Sequence, residues 1–258
     1  MSYDYESFKT DVYGLTNINL SLYKERQMKR RIESLMNRKG YSDFQSYFHA
    51  MKEDDALLRA FVSYLTINVS EFYRNPKQWE LFENEMIPYL KKQFGGRINI
   101  WSAACSTGDE PYTIAMLLAR HIPLNQVHVY ATDIDEDVLN FAKQGLYPFR
   151  SLEHLPKDLI DSHFIKEEKG YQIKDDIKKC VEFRKHNLLE DKYPSGMHMI
   201  VCRNVVIYFT DEAKERVYRN FHKTLCDDGI LFIGSTEQII HAKEIGFSAT
   251  DSFFYQKV

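Results

Sequence analysis

Few features of this sequence support metal binding, disulfide bonding or membrane insertion. Its 258 residues include four cysteines that form no Cys-x-x-Cys pair, and its nine histidines form no His-Glu-x-x-His motif. These absences exclude the common zinc sites, so we expect no metal ion and four free thiols. No run of about eighteen apolar residues occurs, which predicts no direct membrane insertion. The N-terminal residues lack the apolar core of a signal peptide, and we expect a cytoplasmic protein.

A strong charge of one sign is also absent. The chain has 34 basic and 37 acidic residues, a formal net charge of −3. Nucleic-acid-binding domains usually carry a marked positive excess, so this balance argues against nucleic acid as a partner. The length suffices for one α/β domain of ordinary size with a smaller companion. We expect the chain to act as a monomer.

Hydrophobic periodicity divides the chain into regions of unequal size. Residues 1–74 are predicted to be helical, because apolar residues such as Met28 and Ile32 recur at helical spacing. Residues 75–96 are predicted to form a linker that becomes a helix. In residues 97–258 short apolar strands alternate with helical patterns, which predicts an α/β domain with a mostly parallel sheet.

The α/β region is predicted to contain five core strands and two antiparallel additions. The core strands are Ile98–Trp101, Val127–Thr132, Val181–His186, Met197–Cys202 and Ile230–Gly234, with a helix at Asp211–Leu225. Ser252–Val258 is predicted to close the sheet as an antiparallel strand. A hairpin that pairs Ser162–Lys166 with Tyr171–Lys174 predicts a small β-subdomain inserted at about residues 147–178.

The most informative segment is Ile98–Thr113, which reads INIWSAACSTGDEPYT. An apolar strand gives way to small residues and Gly108, and a helical pattern then begins at Asp109 and Glu110. Such a strand–turn–helix arrangement is typical of a nucleotide or nucleoside site at the carboxyl end of a strand. The two carboxylates would repel a pyrophosphate but attract an ammonium group. S-adenosylmethionine carries both a nucleoside and an ammonium, although these acids could also serve only as helix caps.

A third acid supports the nucleoside interpretation. Asp133 follows the predicted strand Val127–Thr132 and lies about 25 residues beyond Gly108. A carboxylate at the tip of the second strand can accept hydrogen bonds from both hydroxyls of a ribose. Asp135 and Asp137 come after the strand and indicate the start of the next helix instead.

Six short motifs are distributed along the chain. They are TINVSEFYR at 66–74, WSAACSTGDEPYT at 101–113, ATDID at 131–135, HNLL at 186–189, CRNVVIYF at 202–209 and GSTEQ at 234–238. Over essentially its whole length the chain therefore resembles the CheR family of chemotaxis receptor methyltransferases. The resemblance implies a class I S-adenosylmethionine-dependent methyltransferase fold, which is Rossmann-like and has a mostly parallel sheet with an antiparallel closing strand. It also implies a small all-α N-terminal domain and an inserted antiparallel β-subdomain.

The resemblance assigns roles to residues of these motifs. Glu110 is implied to bind the methionyl ammonium and Asp133 the ribose, while Asn187 and Leu188 would flank the adenine. Asn187 could also be only a turn residue, and Asn204 only a helix cap. The implied cofactor-binding residues are Asn68, Ser70, Arg74, Gly108, Glu110, Asp133, Asn187, Leu188, Asn204 and Val205.

The family methylates side-chain carboxylates of receptor glutamates. The resemblance implies that this chain forms glutamyl methyl esters and leaves S-adenosylhomocysteine as the product. A glutamate carboxylate, with a pKa of about 4.3, is already ionised at neutral pH, so no general base is required. We predict that Arg74 and Tyr208 are catalytic residues that orient this carboxylate. Their plainer interpretations are a surface ion pair for Arg74 and core packing for Tyr208.

The segment Lys24–Lys39 is basic, with seven basic and two acidic residues. On a helix its apolar residues would share one face and leave Arg26 and Arg30 pointing away from it. A solvated basic face is the plain interpretation. Nucleic acid is a second option, although no stacking aromatics are interleaved there. The family resemblance implies instead that this face docks on the cytoplasmic methylation region of chemoreceptors. The predicted docking residues are Arg26, Lys29, Arg30 and Arg31.

Two other classes of function stay open. One is an S-adenosylmethionine-dependent methyltransferase that acts on a small molecule or on RNA. The Asn-Pro-Pro-Tyr-like sequence that would support amino-group methylation is absent, since residues 203–206 read RNVV. The other is a non-catalytic sensor that binds the cofactor or a nucleotide second messenger. The presence of Arg74, Glu110, Asp133 and Tyr208 argues against a decayed site.

Overall fold

The computed structural model describes residues 3–95 and 97–258. Residues 1, 2 and 96, which fall within two of the predicted ranges, lie outside this part. The N-terminal region is helical, as predicted, and its helices are α1 (Tyr5–Thr16), α2 (Glu25–Arg38), α3 (Phe44–Glu53) and α4 (Asp55–Thr66).

Local sequence explains where these helices begin and which face they bury. Asp4, Asp43 and Asp54 each accept a hydrogen bond from a backbone amide in the first turn of α1, α3 and α4. In α2 the apolar residues at helical spacing are buried, and they are Met28, Ile32, Leu35 and Met36. The helices therefore enclose a small core of their own.

The predicted linker is a packed helix. α5 (Pro76–Leu81) and α6 (Ile87–Phe94) are joined by a π-helical turn at Phe82–Met86. Trp79 is buried on α5, and its ring packs edge-on against Phe232 with 5.7 Å between ring centroids. This part of the chain belongs to the α/β core and is not an exposed connection.

The remaining elements alternate along the chain. The strands are β1 (Ile98–Ala103), β2 (Val127–Asp133), β3 (Leu146–Tyr147), β4 (Phe164–Lys166), β5 (Tyr171–Ile173), β6 (Val181–Lys185), β7 (Met197–Cys202), β8 (Leu225–Ile233), β9 (Phe247–Asp251) and β10 (Phe254–Lys257). The helices are α7 (Asp109–Ala119), α8 (Glu136–Gln144), α9 (Lys157–His163), α10 (Asp175–Lys178), α11 (Asp211–Thr224) and α12 (Ala242–Ile245).

Seven strands form one sheet in the order β6-β2-β1-β7-β8-β10-β9. The pairs among β6, β2, β1, β7 and β8 are parallel, and β10 is antiparallel to β8. The predicted parallel core and antiparallel closing strand are confirmed. β9, which pairs with β10 at the edge of the sheet, was not predicted.

The inserted β-subdomain has three strands in the order β3-β5-β4. The predicted hairpin is present as β4 and β5. β3 pairs with β5 on its other side and was not predicted. Its two residues are too few to show an alternating pattern.

Helices cover both faces of the large sheet. In β1, Ile98 and Ile100 belong to the core that includes α7, whereas Trp101 and Ala103 belong to the core that includes α11. Burial on both faces explains why the parallel strands are nearly continuous apolar runs. In the described ranges 3–95 and 97–258, no helix combines the length and the apolarity needed to cross a membrane.

A short antiparallel contact joins the helical region to the segment between β7 and α11. The Lys24 amide donates a hydrogen bond to the Tyr208 carbonyl, and the Thr210 amide donates one to the Leu22 carbonyl, each at 2.9 Å. Tyr23 and Phe209 face each other between these bonds. Because α2 begins at Glu25, its N-terminus lies beside the segment that follows β7.

Candidate functional site

A cavity of about 470 Å³ lies at the carboxyl ends of β1, β2 and β7, between the helical region and the sheet. This is the edge where α/β folds bind ligands, and the volume suits a nucleoside-sized molecule. Ten of the predicted site residues line it: Asn68, Ser70, Arg74, Glu110, Asp133, Asn187, Leu188, Asn204, Val205 and Tyr208.

The turn after β1 contains three residues with left-handed backbone conformations. The φ angles of Ala104, Ser106 and Gly108 are 64°, 49° and 88°. A Cβ at position 108 would lie 2.7 Å from the Ala142 Cβ and 3.0 Å from the Tyr147 hydroxyl. Gly108 does not line the cavity. Its predicted cofactor contact stays a prediction, and the structure gives another reason for glycine here: it lets the turn pack against α8.

Asp133 is held in a fixed orientation at the end of β2. Its carboxylate accepts hydrogen bonds from the backbone amides of Ser106, at 2.8 Å, and Asp135, at 3.1 Å. Burial raises the pKa of Asp133 to about 6, while these bonds act in the opposite direction. The side chain is thus a preoriented acceptor that is mostly ionised at neutral pH.

Glu110 lies in the first turn of α7 and is nearly buried. The Ser102 hydroxyl donates a hydrogen bond to Oε1 at 2.8 Å, and Arg203 Nη1 lies 3.6 Å from Oε2. Burial raises the pKa of Glu110 even though the Arg203 guanidinium opposes the shift. A buried carboxylate that is only partly compensated attracts another cation, as a ligand ammonium would be.

Arg203 was not among the predicted site residues. Its Nη2 donates to the Gln78 side chain at 2.6 Å and to the Arg74 carbonyl at 3.0 Å. The guanidinium also lies over the rings of Trp79 and Phe232, at 5.1 and 4.8 Å from their centroids. The signal in the sequence is an arginine directly after a buried strand, where a charge needs a specific partner.

Glu237 was also missed, although it belongs to one of the recognised motifs. Its buried carboxylate accepts hydrogen bonds from the backbone amides of Asn204, Val205 and Gly234, at 3.0, 3.0 and 2.7 Å. Asn204 has a left-handed φ of 61°. Glu237 therefore connects the ends of β7 and β8 and sets the backbone that presents Asn204 to the cavity.

Asn187 lines the cavity but uses much of its amide within the protein. Its Oδ1 accepts a hydrogen bond from the Leu189 amide at 3.0 Å, and its Nδ2 donates to the Asn17 carbonyl at 3.0 Å. The turn role that the sequence left open is thus present in the structure. Leu188 contributes apolar surface to the cavity.

Residues 67–75, which we call the strap, cross the cavity between α4 and α5. Asn68 Nδ2 donates to Asp135 at 2.7 Å. Arg74 forms no ion pair with any described residue, and its Nη1 makes one long bond of 3.4 Å to the Val69 carbonyl. The surface ion pair considered for Arg74 is therefore absent from the described part of the structure.

The predicted docking residues fall into two groups on α2. Arg26 and Arg30 are exposed. The Lys29 ammonium lies over the ring of Tyr5, at 5.3 Å from its centroid. Arg31 donates to the Tyr64 carbonyl at 2.6 Å and lies over the ring of Tyr64. Arg31 is thus engaged in contacts within the helical region, and its docking role stays a prediction.

Comparison with known proteins identifies the family. Residues 68–253 match the family described as CheR methyltransferase, SAM binding domain, and residues 3–66 match CheR methyltransferase, all-alpha domain. The chain belongs to the CheR methyltransferase family. The predictions of this family, of its fold and of S-adenosylmethionine as the cofactor are confirmed.

Relatives in the family cover nearly the same length. The chain is 41% identical over 254 residues to the chemotaxis protein methyltransferase of Listeria innocua, which covers 98% of this chain and 97% of the relative. It is 33% identical over 249 residues to that of Borreliella burgdorferi, covering 92% and 88%. It is 30% identical over 240 residues to that of Escherichia coli, covering 89% and 82%. These matches identify an S-adenosylmethionine-dependent methyltransferase of chemotaxis.

The cavity fits this cofactor chemically. Glu110 would supply a negative charge for the methionyl ammonium, and Asp133 would supply two acceptor oxygens for vicinal hydroxyls. Leu188 would provide an apolar surface for the adenine ring. Arg203 also lines the cavity, and its buried Nε has no hydrogen-bond partner among the described residues. Such a donor is usually satisfied by a ligand or by water.

Proposed function

We propose that the protein transfers the methyl group of S-adenosylmethionine to side-chain carboxylates of glutamates in the cytoplasmic methylation region of chemoreceptors. The product would be a glutamyl methyl ester, the modification used for sensory adaptation. The names of the relatives, which are chemotaxis protein methyltransferases, support this substrate class.

One observation carries the choice of a carboxylate. Arg74 and Tyr208 both line the cavity, and their donor groups are largely free of partners among residues 3–95 and 97–258. An ionised carboxylate offers acceptors only and is complementary to such donors. A neutral or cationic acceptor would gain less from a guanidinium.

The mechanism needs orientation more than proton transfer. When bound, S-adenosylmethionine supplies a methyl group on a positively charged sulfur, which is already a good leaving group. Arg74 and Tyr208 direct one oxygen of the glutamate toward the methyl carbon, opposite the sulfur. The O–C bond forms as the S–C bond breaks, and the bonding pair stays on sulfur. No proton moves, so no base is required.

The contribution of Arg74 is positioning. A tight ion pair would stabilise the carboxylate before reaction more than the transition state, in which the anionic charge fades, and would slow transfer. The partly exposed Arg74 suits a moderate interaction, because solvent weakens the attraction.

The same geometry suggests how the receptor reaches the site. The exposed Arg26 and Arg30 lie near the start of α2, and Lys24 is hydrogen-bonded to the backbone of Tyr208. An acidic helical bundle docked on α2 would therefore approach the same side of the molecule as Tyr208. Such charge complementarity mainly speeds encounter.

Peptide mapping by mass spectrometry tests the proposal. The full-length protein is incubated with S-adenosylmethionine and membranes that contain chemoreceptors. We expect methyl groups on glutamate side chains of the cytoplasmic region, and none with the Tyr208→Phe, Arg74→Ala double variant. Methylation of lysine, of a small molecule or of RNA would contradict it. Binding of the cofactor without any transfer would favour a sensor.

A further inference from the structure

Tyr23 belongs to the helical region but forms part of the cofactor cavity. The backbone on either side of it is fixed by the two hydrogen bonds that join Leu22 and Lys24 to residues 208–210. Its ring packs edge-on against Phe209, with 5.2 Å between centroids. The position of this side chain is therefore determined by both regions of the protein.

The Tyr23 hydroxyl is a free donor at this site. It makes no hydrogen bond to any residue in the described ranges, and the half-buried side chain lines the cavity. Burial raises the pKa of Tyr23 above its usual value, and the charge of Asp133 adds to the shift. The hydroxyl therefore stays protonated and lies close enough to Asp133 to feel its charge. A hydroxyl on the wall of a cavity that has no protein partner is available to donate to a ligand.

We propose that Tyr23 is a cofactor-positioning residue whose hydroxyl hydrogen-bonds to the nucleoside part of S-adenosylmethionine beside Asp133. The cofactor would then be held by the helical region as well as by the methyltransferase domain. This inference depends on the identity of the cofactor and not on the proposed methyl acceptor.

A consequence follows for α2, which begins two residues after Tyr23. Cofactor that binds Tyr23 must restrain the segment Leu22–Lys24, since ligand and segment share one contact. By thermodynamic reciprocity, anything that holds the start of α2 in place favours cofactor binding. Docking of a partner on α2 and occupancy of the cavity would thus support each other.

The test is calorimetric titration of the full chain and its Tyr23→Phe variant with two ligands. S-adenosylhomocysteine contains the nucleoside and the amino acid, whereas 5′-methylthioadenosine contains the nucleoside but no amino acid. We expect Tyr23→Phe to weaken both by the same factor, about fivefold to tenfold, because one hydrogen bond is lost. The melting temperature of the unliganded variant should match the parent.

Tyr41→Phe is the matched control, since Tyr41 is also a partly buried tyrosine of the helical region. Its ring packs on Tyr47, 5.2 Å between centroids, and it does not line the cavity. We expect it to bind both ligands like the parent.

Hydrogen exchange of residues 20–26 should also slow with S-adenosylhomocysteine in the parent and less in Tyr23→Phe. Affinities of Tyr23→Phe within about twofold of the parent, or a loss confined to S-adenosylhomocysteine, would overturn the proposal.

Discussion

Arg203 Nη1 lies 3.6 Å from Glu110 Oε2, so the carboxylate assigned to the cofactor ammonium already has a cationic neighbour. The two groups do not form a hydrogen-bonded ion pair, because their separation exceeds hydrogen-bond distance. Arg203 donates instead to Gln78 and to a backbone carbonyl. Arg203 therefore helps to orient Glu110, and most of the negative charge of Glu110 stays available to a ligand ammonium.

Replacing Glu110 with glutamine should weaken S-adenosylhomocysteine binding by about tenfold to a hundredfold. The amide can still accept the hydrogen bond from Ser102, but the charge–charge attraction for the ammonium is lost. Calorimetry measures the effect, and adenosine, which has no ammonium, serves as the control ligand. Equal losses for both ligands would show that the substitution disturbs the whole cavity.

Cofactor binding should weaken as the pH falls below about 6, because the pKa of buried Asp133 is raised to about 6 in the unliganded protein. Protonation removes acceptor capacity that the ribose hydroxyls need, so affinity is lost on the acid side and retained above it. The pKa of Glu110 is also raised and acts in the same direction. Titrations with S-adenosylhomocysteine between pH 5 and 8 should show about a tenfold loss per pH unit on the acid side. A flat profile would mean that neither carboxylate binds the ligand in its ionised form.

Removing the hydroxyl of Tyr208 should slow methyl transfer while leaving cofactor affinity unchanged. In the proposed mechanism this hydroxyl orients the receptor carboxylate and does not hold the nucleoside. We expect Tyr208→Phe to lower kcat by about tenfold, with the S-adenosylhomocysteine Kd within about twofold of the parent. An unchanged kcat would assign Tyr208 to packing alone.

Charge reversals on α2 should affect receptor docking at some positions and protein stability at another. The double variant Arg26→Glu, Arg30→Glu should raise KM for receptor membranes about tenfold at low salt, and less at high salt, with kcat preserved. Arg31→Glu should instead lower the melting temperature, because it breaks the contacts with Tyr64. A receptor KM that does not respond to the double variant would contradict docking on this face.

Glycine substitutions should differ according to local geometry. Gly108→Ala should destabilise the protein by about 1–3 kcal/mol, since φ is 88° and a Cβ would lie 2.7 Å from Ala142. Gly14→Ala, inside α1 with nothing within 4 Å of a new Cβ, should stabilise it by about 0.5–1 kcal/mol. Urea unfolding measures both changes in the free energy of unfolding. If Gly108→Ala were as stable as the parent, the packing role of the turn would be refuted.

The sequence allowed the parallel core and much of the cavity to be predicted, because their signals are local. Asp133 and Glu110 each follow directly from a strand–turn–helix pattern. β9 and β3 were missed for physical reasons: β9 is a mostly exposed edge strand, and β3 has two residues. Neither has the apolar alternation from which strands are inferred.

The missed site residues depend on contacts between distant parts of the chain. Arg203 bonds to Gln78, which is 125 residues away, and Tyr23 meets Phe209 across the two regions. No spacing in the sequence encodes such pairs. The contact of Arg31 with Tyr64 is of the same kind: the charge is visible in the sequence, but the partner is not.

The proposed reaction product is a glutamyl methyl ester. It is tested by transfer of a radiolabelled methyl group from S-adenosylmethionine to receptor-containing membranes, followed by mild base. We expect label on the receptor that base releases as methanol. Receptor label that survives base would contradict ester formation, because N- and S-methyl groups resist such hydrolysis and esters do not.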